Sequence, residues 1–405
     1  MNEVAAGGWL RLTAVAAALA TGAAVVSGVL RLGTGHEALA GFALPPLVAL
    51  VVAAHGAHRR LLPTAATALS LLAVEIALGG VTSLLGRPGW AAGLHLAFAA
   101  LTFAAALVVA ATIVRAPAAG RSPARDYLTL TKPRIMSLLL LTGGCGYVVG
   151  ARGDPAPGRL ALTLLGLALA CGGASALNHV LDRDIDRLMG VRTSARPVAA
   201  QRMPPAHALE FGLALSAASF VLLAGVVNLL TAVLALVGNL FYVVVYTGWL
   251  KRRTPENIVI GGAAGAVPPL VGWAAATGRL TLPAFLLFAI VFLWTPPHFW
   301  ALALLLRKHY AAAGIPMLPV VAGVAETTRR IVRYSVWLVV FSLVPALGLG
   351  LVYGAAAAVL GGVFVALALR LRARPATRPA ALLFHYSLLY LALLFVAAAL
   401  DSALA

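Results

Sequence analysis

Long apolar runs, separated by short polar or Gly/Pro-rich segments, dominate the chain. A bilayer core about 30 Å thick needs ~20 apolar residues per crossing helix. Read with that window, thirteen runs qualify. Four lie at roughly 9–30, 38–57, 64–86 and 91–113. Nine more follow at roughly 135–152, 159–179, 206–225, 229–249, 257–277, 281–304, 332–353, 354–370 and 380–400. Several contain Gly and Pro, which membrane helices tolerate better than soluble ones. The first run has one other reading, a signal peptide, but it is long for an h-region of about 7–15 residues. The pattern predicts an all-α polytopic membrane protein.

Composition agrees and adds a direction. The chain is 62% hydrophobic and 10% charged, whereas soluble domains run at about 45–50% and about 25%. Its net charge of +18 therefore belongs to short loops, where it orients the chain and attracts anionic lipid or substrate. With the N-terminus cytoplasmic, 25 of the 30 basic residues fall on the inner side. That asymmetry predicts a bacterial-type plasma membrane protein with its basic face in the cytoplasm. Cys145 and Cys171 both lie in apolar runs, so neither a disulfide framework nor a thiolate metal site is indicated. The segment Arg115–Arg125 reads as a linker. It divides the chain into a four-span unit (1–113), a linker (114–126) and a nine-span domain (127–405).

With only 12 acidic residues in the chain, a cluster is informative. Asp182, Asp184 and Asp186 fall at the inner end of one span. Asn178, Asp182 and Asp186 are spaced i, i+4, i+8, so on a helix they drift only about 40° per step and share a face. Two carboxylates stacked with an amide oxygen suit Mg²⁺, which takes one or two carboxylates and completes its shell with water and phosphate oxygens. Arginines interleave with them, and guanidinium forks match phosphate geometry. Anchoring a helix end would need only the arginines. Two further basic patches, Lys132-Pro133-Arg134 and Lys251-Arg252-Arg253, lie on the same predicted side and would surround a polyanion.

Residues from about 125 to 400 resemble the UbiA superfamily of intramembrane prenyltransferases, whose first acidic motif is NxxxDxxxD. Within it they resemble the protohaem IX farnesyltransferase (haem O synthase) family. The resemblance is carried by LTKPR (130–134), NHVLDRDIDRLM (178–189), RTSARP (192–197) and YTGWLKRRTPENIVIGGAAGAVPPLVGWAAATG (246–278), with WTPPHFWALAL (294–304) and AGIPMLPVV (313–321). It implies a nine-helix bundle that transfers the farnesyl group of farnesyl diphosphate to a vinyl group of haem b. A prenyltransferase of the same kind acting on another acceptor, such as a quinone precursor, is the alternative. Carried onto this chain, the family's Mg²⁺ would be held by Asn178, Asp182 and Asp186. Lys132 and Arg187 complete the candidate catalytic set. Lys132, Arg134, Arg187, Arg192, Arg196, Lys251 and Arg252 are the candidate diphosphate ligands. Tyr242, Tyr246, Trp273, Trp294 and Phe299 are candidates to line a dry cavity for the allylic cation. His298, beside two prolines within a span, is a candidate to seat haem. The family usually has an Asp where this chain has His309; Glu256 is the nearest other carboxylate for a second metal.

The first 113 residues are similar to half of a haem A synthase, in Arg31–His36, Glu75–Thr82 and Gly93-Leu-His95. His36 and His95 would begin two inward-running helices at similar depth, as axial haem ligands in a four-helix bundle do. A haem A synthase or terminal oxidase assembly factors are the expected protein partners.

Overall fold

The computed structural model describes residues 124–404. The four N-terminal runs, with His36 and His95, lie outside the described residues. Nine described helices are long and apolar enough to cross a membrane: Pro133–Gly150, Pro157–Leu181, Pro205–Val227, Leu229–Arg252, Asn257–Thr277, Leu282–Leu305, Gly323–Leu347, Leu351–Ala373 and Thr377–Leu404. This is an integral membrane protein.

In chain order the helices are α1 (Ala124–Thr131), α2 (Pro133–Gly150), α3 (Pro157–Leu181), α4 (Arg183–Leu188) and α5 (Val191–Ser194). Then come α6 (Pro205–Leu222), α7 (Leu229–Leu240), α8 (Asn257–Thr277) and α9 (Leu282–Leu305). They are followed by α10 (Arg307–Ala312), α11 (Leu318–Val321), α12 (Gly323–Leu343), α13 (Leu351–Ala373) and α14 (Thr377–Leu404). Proline opens α2, α3 and α6, where the missing N–H has no intrahelical partner to lose.

Eight of the nine spans fall within a few residues of their apolar windows. The seventh does not: it runs over Gly323–Leu347, against the 332–353 expected. Its first turns carry Glu326, Arg329, Arg330 and Arg333, too polar for the window, yet Glu326 pairs with Arg329 at 2.6 Å and Arg330 at 3.0 Å along the helix. It ends at a 3₁₀ turn, Val344–Leu347, containing Pro345. The eight-residue α1 has no counterpart among the apolar runs; Leu130 packs it onto Ala176 and Met203, and Arg202 grips Asp126 with two bonds of 3.0 and 3.2 Å.

Small residues let the backbones approach, since lipid offers helices no hydrophobic reason to associate. On α2, a Cβ at Gly146 would stand 2.6 Å from the Pro269 carbonyl oxygen of α8. A larger core lies among α9, α12, α13 and α14, around Trp300, Tyr353, Phe364 and Tyr390, all fully buried. At the end remote from the aspartates, the buried Asp401 accepts hydrogen bonds from the backbone N–H groups of Gly350 and Val352 and so caps α13.

Candidate active site at one end of the bundle

The acidic segment is a helix with a joint. α3 stops at Leu181, Asp182 takes φ −91° and ψ 5°, and α4 resumes at Arg183. The ladder is nevertheless kept, with Asp182 N–H to Asn178 at 2.9 Å and Asp186 N–H to Asp182 at 2.8 Å. The three side chains are therefore presented together, and each is at most 3% exposed.

Each meets a cation brought in from elsewhere. Lys251, in the 3₁₀ turn Leu250–Arg252 that ends the span Leu229–Arg252, donates to Asp182 Oδ2 at 2.5 Å. Arg196, after α5, pairs with Asp186 Oδ1 at 2.6 Å. Lys132, between α1 and α2, donates to Asn178 Oδ1 at 2.7 Å. Asn178 Nδ2 in turn donates to Asp182 Oδ2 at 2.8 Å and Thr247 Oγ1 at 3.1 Å. Lys132 adopts a left-handed backbone (φ 50°, ψ 61°). For a non-glycine residue this conformation is strained, and the surrounding structure must hold it.

The electrostatics follow from crowding. Burial, reinforced by Arg196 and Lys251 and opposed by Asp182 and Asp186, lowers the Lys132 ammonium to about 7. Burial raises the Asp186 carboxyl above its ordinary value, against its bond to Arg196. Two carboxylate oxygens, Asp182 Oδ1 and Asp186 Oδ2, are buried without a hydrogen-bond partner. An unpaired buried acceptor is costly, and a pair of them beside Lys132, Arg196 and Lys251 fits Mg²⁺. Among the described residues, no group of three His, Cys, Asp or Glu side chains forms a complete metal cage. The donor set thus suits an ion that keeps substrate oxygens in its shell.

Other expected residues are placed differently. Asp184 is turned outward, and Arg252 grips it with two bonds of 2.7 Å, which lowers its pKa to about 2. Arg252 is therefore not directed at the buried pair. Arg187 is exposed and donates to the Ala199 carbonyl at 3.0 Å; Arg134 is also exposed. The Arg192 side chain lies outside the described set. Glu256 pairs with Arg330 at 2.6 Å. His309 packs its ring against Gly190, where a Cβ would stand 2.7 Å from the imidazole.

Of the aromatic candidates, Tyr242 and Tyr246 lie with ring centres 5.4 Å apart. Tyr246 and Phe299 pack with Ile185 and Tyr310 beside the acidic segment. Trp273 belongs to the remote half, next to Gly150. Trp294 stacks on His298 at 4.3 Å. Thr247 and His179 were not singled out from the sequence. Thr247 precedes Lys251 by four residues, and that helical spacing is the signal that could have found it. His179 is 1% exposed with both ring nitrogens unpartnered, and it lies close enough to feel the charges of Lys132 and Arg196.

The sequence model of the UbiA prenyltransferase family matches residues 139–394. The chain belongs to the UbiA prenyltransferase family. A relative from Roseiflexus castenholzii, named protoheme IX farnesyltransferase, is 44% identical over 98% of this chain and 83% of its own length. One of the same name from Synechocystis is 50% identical over 69% of this chain and 89% of its own. A third, from Roseiflexus sp. RS-1, is 53% identical over 68% of this chain; the match spans only 52% of that relative. UbiA-type folds recur among solved structures. A digeranylgeranylglyceryl phosphate synthase aligns with TM-score 0.59 at 18% identity, covering 69% of this chain and 99% of that one. A UbiA homolog from Aeropyrum pernix K1 aligns at 0.53 and 20% identity, covering 65% of this chain and 97% of that one. Such distant likenesses establish the bundle architecture and nothing finer.

Proposed function

We propose that this chain is an intramembrane protohaem IX farnesyltransferase. It moves the farnesyl group of farnesyl diphosphate to a vinyl group of haem b and yields haem O. The observation that carries the reading is the pair of buried, unpartnered oxygens on Asp182 and Asp186, surrounded by Lys132, Arg196 and Lys251. The names of the 44–53% identical relatives favour haem over a quinone precursor as acceptor.

Asp182 and Asp186, with the Asn178 oxygen once Lys132 leaves it, would hold Mg²⁺. When bound, Mg²⁺ supplies positive charge against the diphosphate oxygens. The ammonium groups of Lys132 and Lys251 and the guanidinium of Arg196 bind the same oxygens and stabilise charge that builds as the farnesyl C1–O bond breaks. Arg134, Arg187 and Arg252 would add outer positive charge that attracts the diphosphate, and Arg192 is kept as a candidate for the same role from the sequence alone. Tyr242, Tyr246 and Phe299 present ring faces to the allylic cation and exclude water from it. C1 then bonds to the terminal vinyl carbon. The positive charge left on the adjacent carbon takes the oxygen of water, which releases a proton and gives the hydroxyethylfarnesyl side chain.

His298 would seat the haem. His36 and His95 would form a second haem site that passes haem toward the transferase or onward to a haem A synthase or oxidase assembly factor. A fall from two bound haems per chain to one in the His95→Ala full chain tests that second site. The main test is incubation of the purified protein with haem b, farnesyl diphosphate and Mg²⁺. Farnesylated haem is the expected product. Its absence, with prenylation of a phenolic quinone precursor instead, overturns the reading.

A further inference from the structure

Ser387, on α14, is not part of the site described above, yet it organises two of that site's neighbours. Its Oγ lies 2.6 Å from the Phe384 carbonyl oxygen. A carbonyl only accepts, so the hydroxyl hydrogen points there. His298 Nδ1 lies 2.7 Å from the same Oγ and must therefore carry a hydrogen of its own. That fixes the imidazole as the Nδ1–H tautomer and leaves Nε2 as a bare lone pair. Nε2 has no hydrogen-bond partner among the described residues.

The ring cannot turn. Trp294 stacks on one side at 4.3 Å and 16°, and Phe384 on the other at 4.8 Å and 22°. Trp294 is itself held by a 2.7 Å bond from Nε1 to the Ser387 carbonyl oxygen. A histidine whose Nδ1–H is tied down and whose Nε2 is free has the arrangement in which imidazoles ligate metals.

A second observation lies along the same seam. Leu305 follows His298 by seven residues on α9, and Ala380 precedes Ser387 by seven on α14. At 1.5 Å and 100° per residue, each lies about 10 Å along its helix on the same face. Leu305 and Ala380 line a crevice of about 480 Å³ at the aspartate end of the bundle, together with the exposed Arg307 and Lys308; His298 and Ser387 lie two turns further into the bundle, beyond its lining. A flat ligand with a metal at its centre and carboxylates at one edge matches that order: lone pair, apolar walls, two cations.

We propose that the α9–α14 seam is the haem seat, in which Ser387 is a positioning residue that aims His298 Nε2 at the iron while Arg307 and Lys308 receive the propionates. The proposal rests on haem b being the acceptor. The test is absorption titration of haem b into purified full-length protein carrying His36→Ala and His95→Ala, so that one site reports. Ser387→Ala is expected to weaken haem binding about tenfold and to alter the imidazole-ligated Soret band. Ser387→Thr should restore both, and Trp294 keeps its bond to the backbone carbonyl in either variant. Arg307→Gln with Lys308→Gln should weaken haem b and leave haem dimethyl ester unaffected. Wild-type affinity and spectrum in both Ser387→Ala and His298→Ala, in a protein that still farnesylates haem b, would overturn the seat and leave the function standing. A protein that binds no haem and prenylates another acceptor would overturn both.

Discussion

Asp182 has one oxygen claimed by Lys251 and Asn178 and the other bare. Asp182→Asn removes a charge whose function is to face metal and diphosphate, so turnover is expected to fall by ~10²-fold or more, with membrane insertion retained; a farnesylation assay on the purified variant reads both. Lys132 gives a pH signature. Its free-state pKa of about 7 is raised when an anion binds, so above pH 7 the complex takes up a proton. Diphosphate affinity should therefore fall as pH rises through 7, by at most tenfold per pH unit, while Lys132→Arg, always charged, should flatten the slope. Calorimetric titration with inorganic diphosphate at saturating Mg²⁺ across pH 6–9 measures it. The grouping of Asn178, Asp182 and Asp186 is legible in the sequence, because helical spacing alone puts them on one face. Their partners are not: nothing local marks Lys132, Arg196 and Lys251 as direct contacts while Arg187 and Arg252 serve a carbonyl and Asp184. That choice is made by tertiary packing. The tautomer of His298 was equally invisible, since Ser387 lies 89 residues away in sequence.

Among the elements, lipid makes the spans readable, for every crossing helix needs the same apolar length. The failures share one cause. Where polar residues lie on the helix itself, as in Glu326–Arg333, or where a helix is too short to cross, as in α1, hydropathy has no handle. The π-helical stretch Phe241–Trp249 was also unmarked, and such segments are frequent at functional sites; this one delivers Thr247 to Asn178 and leads into Lys251. Packing between α2 and α8 depends on absent side chains. Gly146→Ala pushes a methyl group against the Pro269 carbonyl and should cost about 1–3 kcal/mol. Gly158→Ala, at a position with nothing within 4 Å, should leave the thermal midpoint unchanged. A detergent-solubilised melt of both variants compares them directly.

Among the described residues, the basic patches at 132–134, 251–253 and 307–308 fall at the end of the bundle that carries the aspartates. If that end faces the cytoplasm, as the loop charges predict, Ala195→Cys should react with an impermeant thiol reagent only in inside-out vesicles. Gly158→Cys should react only in right-side-out ones; the reverse pattern would invert the topology. The three cations arrive from separate connections, so both buried carboxylates and the Asn178 oxygen are already engaged by the protein's own groups. This has a thermodynamic corollary. Neither an isolated divalent ion nor an isolated polyanion finds a vacancy of matching charge, whereas the two together dissolve all three internal pairs at once. Their association should be synergistic, each enhancing the other's affinity by an identical factor. Magnesium alone would then scarcely register in a calorimeter until pyrophosphate is added.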